Sequence, residues 1–264
     1  SAGMHPHQDG VVPLGWIVAL LAGSTVIVAA ITGWAGLKID FLKFSNAAYL
    51  AIFLLLATIC LGLRNQPLAW QRKARDFSEY IGLFLFVSLL GATASYPAAA
   101  ATSGYVDATL ARMDALLYFD WMRWYSLVAA YPVLQWLGAL AYANIYLPPV
   151  LLLGSFAIAG RRDKAQLFLI SFWLAAAITL ILFLAFPAVG PLSYLWKGPI
   201  PYMPTSGVYQ AELLPLLRDN LFGEVDLGAL QGLVCAPSFH TSAAVIYMIM
   251  AWPDRRLRRS EERR

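Results

Sequence analysis

The stretch that decides the fold lies near the C-terminus, where residues 231–252 read QGLVCAPSFHTSAAVIYMIMAW. A turn of small and polar residues opens directly into an apolar run, which predicts a helix that enters a membrane from one face. His240 stands at the mouth of this helix, and no other histidine follows residue 7. The chemistry of this histidine depends on the kind of chain around it.

The composition of the 264 residues is typical of an integral membrane protein. Hydrophobic residues make up 60% and charged residues 13%, with a mean hydropathy of +0.63. Soluble domains have about 25% charged residues. The net charge of +4 does not indicate nucleic-acid binding, because Lys and Arg stand in short runs between apolar segments. Cys60 and Cys235 form neither a disulfide framework nor a metal-ligand pattern, so no metal is expected.

Six apolar runs predict an all-α, polytopic transmembrane bundle. A bilayer core of about 30 Å needs roughly 20 apolar residues as helix, and unpaired backbone groups cannot face lipid. The runs are 12–36, 47–63, 80–100, 133–159, 167–189 and 238–252, of which the last is short for a span. Residues 105–132 mix Asp and Arg with many aromatics, which predicts one interfacial helix before the fourth span.

The ends of the chain are assigned from their composition. We predict a cytoplasmic N-terminus at 1–11, a membrane-embedded domain at 12–252 and a basic cytoplasmic tail at 253–264. The opening SAG, residues 1–3, is typical of a cloning remnant. The tail sequence RRLRRSEERR is expected to rest on anionic lipid headgroups.

The distribution of Lys and Arg predicts the orientation in the membrane. One set of alternating loops, together with the C-terminal tail, holds 13 of the 19 basic residues, and the other set holds 6. The basic set is expected in the cytoplasm of a multi-pass plasma or inner membrane protein. The segment 190–237, and with it His240, then faces the periplasm or a lumen.

The sequence PSFH, residues 237–240, can form an anion site. Pro237 suits the first turn of a helix, and Ser238 can cap it. The N–H groups of Ser238, Phe239 and His240 would then point out of the membrane, where the positive end of the helix dipole favours phosphate. The histidine adds a proton donor or a second cation. The alternative is a capped helix end that carries an interfacial histidine.

The whole arrangement resembles a known family. Several spans are followed by an outer loop with FPAVGP and then by LLRDNLFGEVDLGALQGLVCAPSFHTSAAVIY. This pattern is similar to the type 2 phosphatidic acid phosphatase (PAP2) superfamily, and within it to the branch of the inositolphosphorylceramide synthases and their bacterial relatives. The resemblance covers roughly residues 105–252, and PSFHT stands where the family has its Pro-Ser-x-His motif.

The resemblance implies a mechanism. In this family a histidine of a later motif attacks phosphorus and forms a phosphohistidine, and a nearby aspartate orients it. The Pro-Ser-x-His histidine protonates the leaving alkoxide, so His240 would be the general acid here. Ser238 and the backbone of Phe239 would hold the phosphate. The substrate would be a phospholipid or an isoprenoid phosphate, with no cofactor needed and the oligomeric state open.

The sequence departs from the family pattern in two respects. No histidine follows His240, so the later His/Asp motif is absent and this sequence holds half of the catalytic pair. A truncated form, a fragment, a frameshifted product and a relative that has lost catalysis are the alternatives. The outer loop lacks the full basic motif of the family. Its two basic residues, Lys197 and Arg218, are candidate phosphate ligands, with Asp219 and Asp226 as candidate partners. Solvated loop charges or interfacial anchors are the alternative for both.

Two functions follow from these observations. The first is a lipid-phosphate phosphatase or phosphotransferase that acts at the outer face. The second is a non-catalytic protein of the same fold, which binds lipid phosphate or serves as a partner subunit. A small transporter is a weaker interpretation, because no span carries a clear buried charge pair or symmetric broken helices.

Overall fold

The computed structural model describes residues 12–252, and within this range the chain folds into eleven α-helices. Extended pairing in this range is limited to one isolated bridge between Lys38 and Glu224. The predicted all-α fold is confirmed. The predicted N-terminus at 1–11 and the basic tail at 253–264 lie outside the described residues.

Five helical segments are long and apolar enough to cross a membrane, which fits a polytopic bundle. They are α1 (Leu14–Trp34), α2 (Phe44–Gly62), α3 (Ala69–Ala100), the pair α6 (Pro132–Ala143) and α7 (Leu147–Ala159), and α8 (Arg162–Ala185). They correspond to the first five predicted spans. The sixth predicted span forms α11 (Phe239–Ala251), whose 13 residues rise only about 20 Å.

The predicted interfacial helix is two helices instead of one. Residues 105–132 contain α4 (Asp107–Leu116) and α5 (Trp121–Ala130). Tyr118 ends α4 by taking a positive φ of 57°. Asp120 starts α5, because its carboxylate accepts a hydrogen bond from the Arg123 N–H at 3.0 Å. The remaining elements are α9 (Pro191–Leu195), α10 (Tyr209–Arg218) and a 3-10 turn at Leu227–Ala229.

Two groups of loops lie at the two ends of the bundle, and an ion pair is found on the side of each. At the long-loop end, which carries 35–43, 101–131 and 186–238, Lys43 pairs with Asp226 at 2.8 Å. At the short-loop end, which carries 63–68 and 160–161, Arg162 pairs with Glu79. The alternating loops of the sequence therefore meet at opposite ends. Which end faces the cytoplasm stays a prediction.

Helix α3 is the centre of the packing and contacts α1, α2, α7, α8 and α10. Aromatic rings fill its contact with α8, where Phe84 lies 4.9 Å from Phe172 between ring centroids. Helix α11 packs on α7 and α8. The short helix is therefore held by two spans although it is not long enough to cross a bilayer alone.

The break between α6 and α7 explains how α11 is positioned. Pro149 has no N–H, so it cannot donate the helical hydrogen bond that the carbonyl of Ile145, four residues earlier, would receive. The hydroxyl of Tyr247 in α11 donates to this carbonyl at 3.1 Å. A backbone carbonyl inside a membrane bundle needs such a donor. The broken helix thus creates a binding point for α11.

We predict that Tyr247→Phe destabilises the protein by about 0.5–2 kcal/mol, the range of polar contacts between membrane helices. The substitution keeps the aromatic ring against Phe168 and removes only the donor to Ile145. Thermal unfolding in detergent measures the effect. The control is Tyr146→Phe, since Tyr146 is exposed and its hydroxyl makes no hydrogen bond among the described residues. Equal melting temperatures for the two variants would contradict this role of Tyr247.

Candidate phosphate-binding site

Ser238 caps α11, as the sequence predicts. Its Oγ accepts a hydrogen bond from the Thr241 N–H at 3.3 Å. The first helical hydrogen bond runs from the Ser242 N–H to the Ser238 carbonyl at 3.2 Å. Pro237 precedes the cap and so lies outside the helix, which shows that the expectation that it lies in the first turn was wrong.

The start of α11 presents unused donors. The N–H groups of Phe239 and His240 bind no acceptor in the described part of the chain, because they lie before the first helical hydrogen bond. The Ser238 hydroxyl accepts the capping bond and can still donate its own hydrogen. The first turn carries no acidic residue. These donors and the positive helix end favour a small oxyanion.

Phe239 and His240 point to different surroundings. The Phe239 ring packs edge-on against Phe172 of α8, with centroids 5.1 Å apart. Phe239 could therefore contribute to an anion site only through its backbone. The His240 ring stacks on Tyr142 of α6, with centroids 4.3 Å apart and planes inclined by 19°.

The imidazole of His240 is held without a polar partner. It makes no hydrogen bond or ion pair with any residue between 12 and 252. It lies in the first turn of α11, outside the five spans, and partial burial lowers its pKa below the ordinary value of 6.5. Below that pKa the ring is a cation and a donor, and above it the ring is neutral.

Asp107 is a structural component of this region that the sequence did not reveal. The residue is 5% exposed, and its carboxylate accepts hydrogen bonds from the N–H groups of Val189 at 3.0 Å and Gly190 at 2.9 Å. It therefore clamps the FPAVGP turn to the start of α4. In the sequence, nothing distinguishes Asp107 from the other charged residues between 105 and 132.

The clamped turn supports the segment before α11. Gly190 has a φ of 91°, and a Cβ there would lie 2.9 Å from the Cys235 Sγ, so the turn and Cys235 are in close contact. Farther back, Gln210 of α10 donates to the Gly232 carbonyl at 2.6 Å. The Tyr96 hydroxyl accepts from the Gln231 N–H at 3.0 Å. Helices α3 and α10 and the FPAVGP turn together fix residues 231–235.

Arg218 lies at the opposite end of α10 from Gln210. Its guanidinium donates to the Thr102 hydroxyl at 2.9 and 3.1 Å and to the Gly104 carbonyl at 2.9 Å. It also lies 4.5 Å from the centroid of the Tyr105 ring. Eight residues of helix separate it from Gln210, a rise of about 12 Å. Within the described residues Arg218 forms no ion pair and makes no hydrogen bond with Ser238 or His240.

Lys197 is exposed and has few contacts. Its Nζ lies 6.0 Å from the centroid of the Tyr194 ring, and it forms no ion pair in the described range. Asp226 does not pair with Lys197 or Arg218, because Lys43 of the first loop holds it at 2.8 Å. The convergence of Lys197 or Arg218 with Ser238 and His240 on one phosphate stays a prediction.

The chemistry available at this site is limited and specific. Among residues 12–252, no group of three His, Cys, Asp or Glu side chains is close enough to hold a metal ion. Two backbone N–H groups, a hydroxyl and an imidazole meet at one helix start. This set can bind an oxyanion and exchange a proton with it.

A helix start of this kind, which packs on Phe172 and Tyr142 inside an apolar bundle, defines a class, that of membrane proteins with an oxyanion site within the helical bundle. The sequence model of the PAP2 superfamily matches residues 108–260, more than half of the chain. The chain therefore belongs to the PAP2 superfamily. No curated protein and no solved structure matches it.

We predict that Asp107→Ala lowers stability and exposes Cys235. The substitution leaves the Val189 and Gly190 N–H groups without acceptors, at a cost of about 1–3 kcal/mol for each buried group. Burial and, after it, the negative charge of Asp107 raise the pKa of the Cys235 thiol to about 11, so this cysteine should react slowly with maleimide at neutral pH. Removing Asp107 takes away both its charge and its support of the turn. With Cys60 replaced by Ala, labelling of Cys235 should be faster in the Asp107→Ala variant.

The matched control is Asp114→Ala, which removes a carboxylate from the same helix without removing the clamp. It should change neither the melting temperature nor the labelling rate appreciably. If both variants label at the rate of the parent protein, Asp107 does not hold the segment before α11.

Proposed function

We propose that this protein binds the phosphate group of a membrane lipid at the start of α11. Phosphatidic acid and isoprenoid phosphates are the substrate classes that the family resemblance implies. Membership of the PAP2 superfamily supports the general activity, a lipid phosphatase or phosphotransferase. We place the site at the outer face because the loops of the long-loop end carry fewer Lys and Arg residues than the opposite loops and tail.

The observation that carries the proposal is the set of unused donors at the helix start. The N–H groups of Phe239 and His240 have no acceptor, and the adjacent imidazole has no hydrogen-bond partner in the structure between residues 12 and 252. Donors that point together from a positive helix end are suited to a phosphate dianion. The Ser238 hydroxyl would add a further hydrogen bond.

His240 would act through its proton. A phosphate dianion beside the ring favours the imidazolium, so binding should raise the pKa of His240 from its lowered value in the free protein. The imidazolium can then donate a proton to the alkoxide that leaves phosphorus when the P–O bond to the lipid breaks. General-acid assistance of this kind contributes about 10²–10⁴-fold to a rate.

Arg218 is the better placed of the two candidate cations for a lipid headgroup. Its guanidinium is oriented by neutral acceptors, Thr102 and Gly104, and by the Tyr105 ring, so no carboxylate neutralises it among the described residues. A guanidinium fixed in this way retains donors and charge for a phosphate. Lys197 is exposed and flexible, and it would contribute as a point charge.

The expected level of activity depends on the nucleophilic histidine of the family, and no residue after His240 in this sequence is a histidine. In the family a second histidine carries the phosphoryl group, and a general acid cannot replace that covalent step. The histidines of this sequence other than His240 are His5 and His7, which precede the first span. We therefore propose that this chain binds lipid phosphate with little turnover.

The inositolphosphorylceramide synthase-like branch adds a proposal about the acceptor. Its members transfer a phosphoryl-linked headgroup to a lipid hydroxyl, whereas phosphatases transfer the phosphoryl group to water. The run from Leu217 to Gly232, LRD…DL…LQG, supports this branch by resemblance. A chain that completes the reaction would then use a ceramide-like hydroxyl in place of water.

The test compares binding and turnover in the same purified protein. We expect wild-type protein in detergent to bind phosphatidic acid in preference to diacylglycerol. His240→Ala should weaken binding roughly ten- to a hundredfold at pH 6, the worth of one hydrogen bond to a charged group. The loss should shrink at pH 8, because imidazole contributes its charge only when protonated. Lys73→Ala, at the short-loop end, is the control and should leave binding unchanged.

Phosphate release from phosphatidic acid and from an isoprenoid diphosphate is measured alongside. We expect release near background for wild type and for His240→Ala. Equal affinities of wild type and His240→Ala at both pH values would reject the phosphate site. Turnover typical of lipid phosphatases, lost in His240→Ala, would instead show that another group supplies the nucleophile.

A further inference from the structure

The imidazole of His240 is oriented by an aromatic contact. Its ring lies on the ring of Tyr142, with 4.3 Å between the centroids and 19° between the planes. Among residues 12–252 no other aromatic ring stacks on it, and no group forms a hydrogen bond with its nitrogens. A histidine that exchanges protons is usually oriented by a hydrogen bond to one of its ring nitrogens. In this protein the Tyr142 ring takes the place of that partner.

Tyr142 stands at the break between α6 and α7, where the backbone is held firmly. The Ile145 N–H donates to the Tyr142 carbonyl at 3.4 Å and closes the last turn of α6. The Tyr247 hydroxyl of α11 donates to the Ile145 carbonyl at 3.1 Å. At the start of α6, the Gln135 amide donates to two carbonyls of α5. The backbone that carries Tyr142 is therefore fixed relative to α11.

The tyrosine contributes its ring face and not its hydroxyl. Within the described part of the chain, the Tyr142 hydroxyl makes no hydrogen bond. A cation within about 6 Å of the centroid of a tyrosine ring is attracted by the negative face of that ring, and the stack places an imidazolium inside this range. The Tyr142 face therefore favours the charged form of His240, whereas burial and the positive end of α11 favour the neutral form.

No charged side chain takes over this role among the described residues. Burial lowers the pKa of His240, and no carboxylate or cation adds to that effect. The titratable side chains that interact with Tyr142 are Tyr146 and Tyr209, both uncharged phenols near pH 7. Helix α11 packs on α7, which has no charged residue, and on α8, which carries charge only at 162–164. The Tyr142 ring is therefore the group that offsets the cost of burying the imidazolium.

We propose that Tyr142 is a positioning residue for His240 at the phosphate site. Its ring holds the plane of the imidazole beside the free N–H groups of the α11 start and stabilises the imidazolium that binds phosphate. Stacking covers one face of the imidazole and leaves both nitrogens at the ring edge, where a phosphate oxygen can accept from them. This inference rests on the proposed phosphate site, but the effect of Tyr142 on His240 is measurable without a ligand.

The test is the titration of His240 in three variants. Each carries His5→Gln and His7→Gln, so that ¹⁵N-histidine NMR in detergent observes His240 alone. Tyr142→Leu fills the space but removes the aromatic face, and it should lower the midpoint by roughly half a unit to one unit. Tyr142→Phe keeps the face and should titrate as the parent protein does. The matched control is Tyr146→Leu, which removes an exposed ring of the same span that does not stack on His240.

Binding of phosphatidic acid at pH 7 is the second measurement. Above the midpoint, a drop of half a unit to one unit lowers the imidazolium fraction about three- to tenfold. Tyr142→Leu should therefore bind about three- to tenfold more weakly, whereas Tyr142→Phe and Tyr146→Leu should keep the parent affinity. If Tyr142→Leu gives no cooperative melting curve, Tyr142→Met removes the aromatic face in its place.

Two results would overturn the role of Tyr142. One is a midpoint in Tyr142→Leu that equals or exceeds that of the parent protein. The other is an equal loss in Tyr142→Leu and Tyr142→Phe, which would assign the effect to the hydroxyl. Either result leaves the phosphate site intact if the parent protein binds phosphatidic acid. A lowered midpoint in Tyr142→Leu, with no binding by the parent protein, would support the stack and reject the phosphate site.

Discussion

A backbone carbonyl inside a membrane bundle must find a hydrogen-bond donor within the protein, and this constraint helps to position α11, the helix that carries His240. Pro149 leaves the Ile145 carbonyl without its helical partner, and the Tyr247 hydroxyl supplies the missing bond. Two turns earlier on α11, His240 stacks on Tyr142, three residues before Ile145. These two contacts fix the position of α11 along the broken span. The position of the candidate phosphate site along the broken span therefore depends in part on the hydrogen bond between Tyr247 and the Ile145 carbonyl.

The elements that the sequence predicted correctly are those that local patterns of residues determine. Hydropathy located the five long spans, and a serine before an apolar helix predicted the Ser238 cap, which the structure confirms. The single interfacial helix was wrong although Asp120, a strong cap residue, stands directly before Trp121. The features that escaped prediction join distant residues. Asp107 binds an N–H group 83 positions away, and no local pattern distinguishes such a carboxylate from an exposed one.

The long-loop end is held by interactions that change little near neutral pH. Hydrogen bonds from Lys43, Ser45 and the Gly228 N–H lower the pKa of Asp226 to about 2. A depressed carboxyl pKa stabilises the fold above the ordinary value near 4, and the contribution is lost only as pH falls towards 2. This contact is therefore fully present between pH 6 and pH 8. The phosphate monoester of the lipid itself titrates in that range, so the part of the pH dependence that His240→Ala removes would report on His240.

The central claim is that His240 is a proton-exchanging ligand of lipid phosphate, and its own titration tests that claim most directly. Replacing His5 and His7 by Gln leaves His240 as the one histidine of the chain, so selective ¹⁵N-histidine NMR in detergent observes it alone. We predict a midpoint below 6.5 for the free protein and an upward shift when phosphatidic acid is added, with no shift for diacylglycerol. A midpoint that phosphatidic acid leaves unchanged would contradict the account.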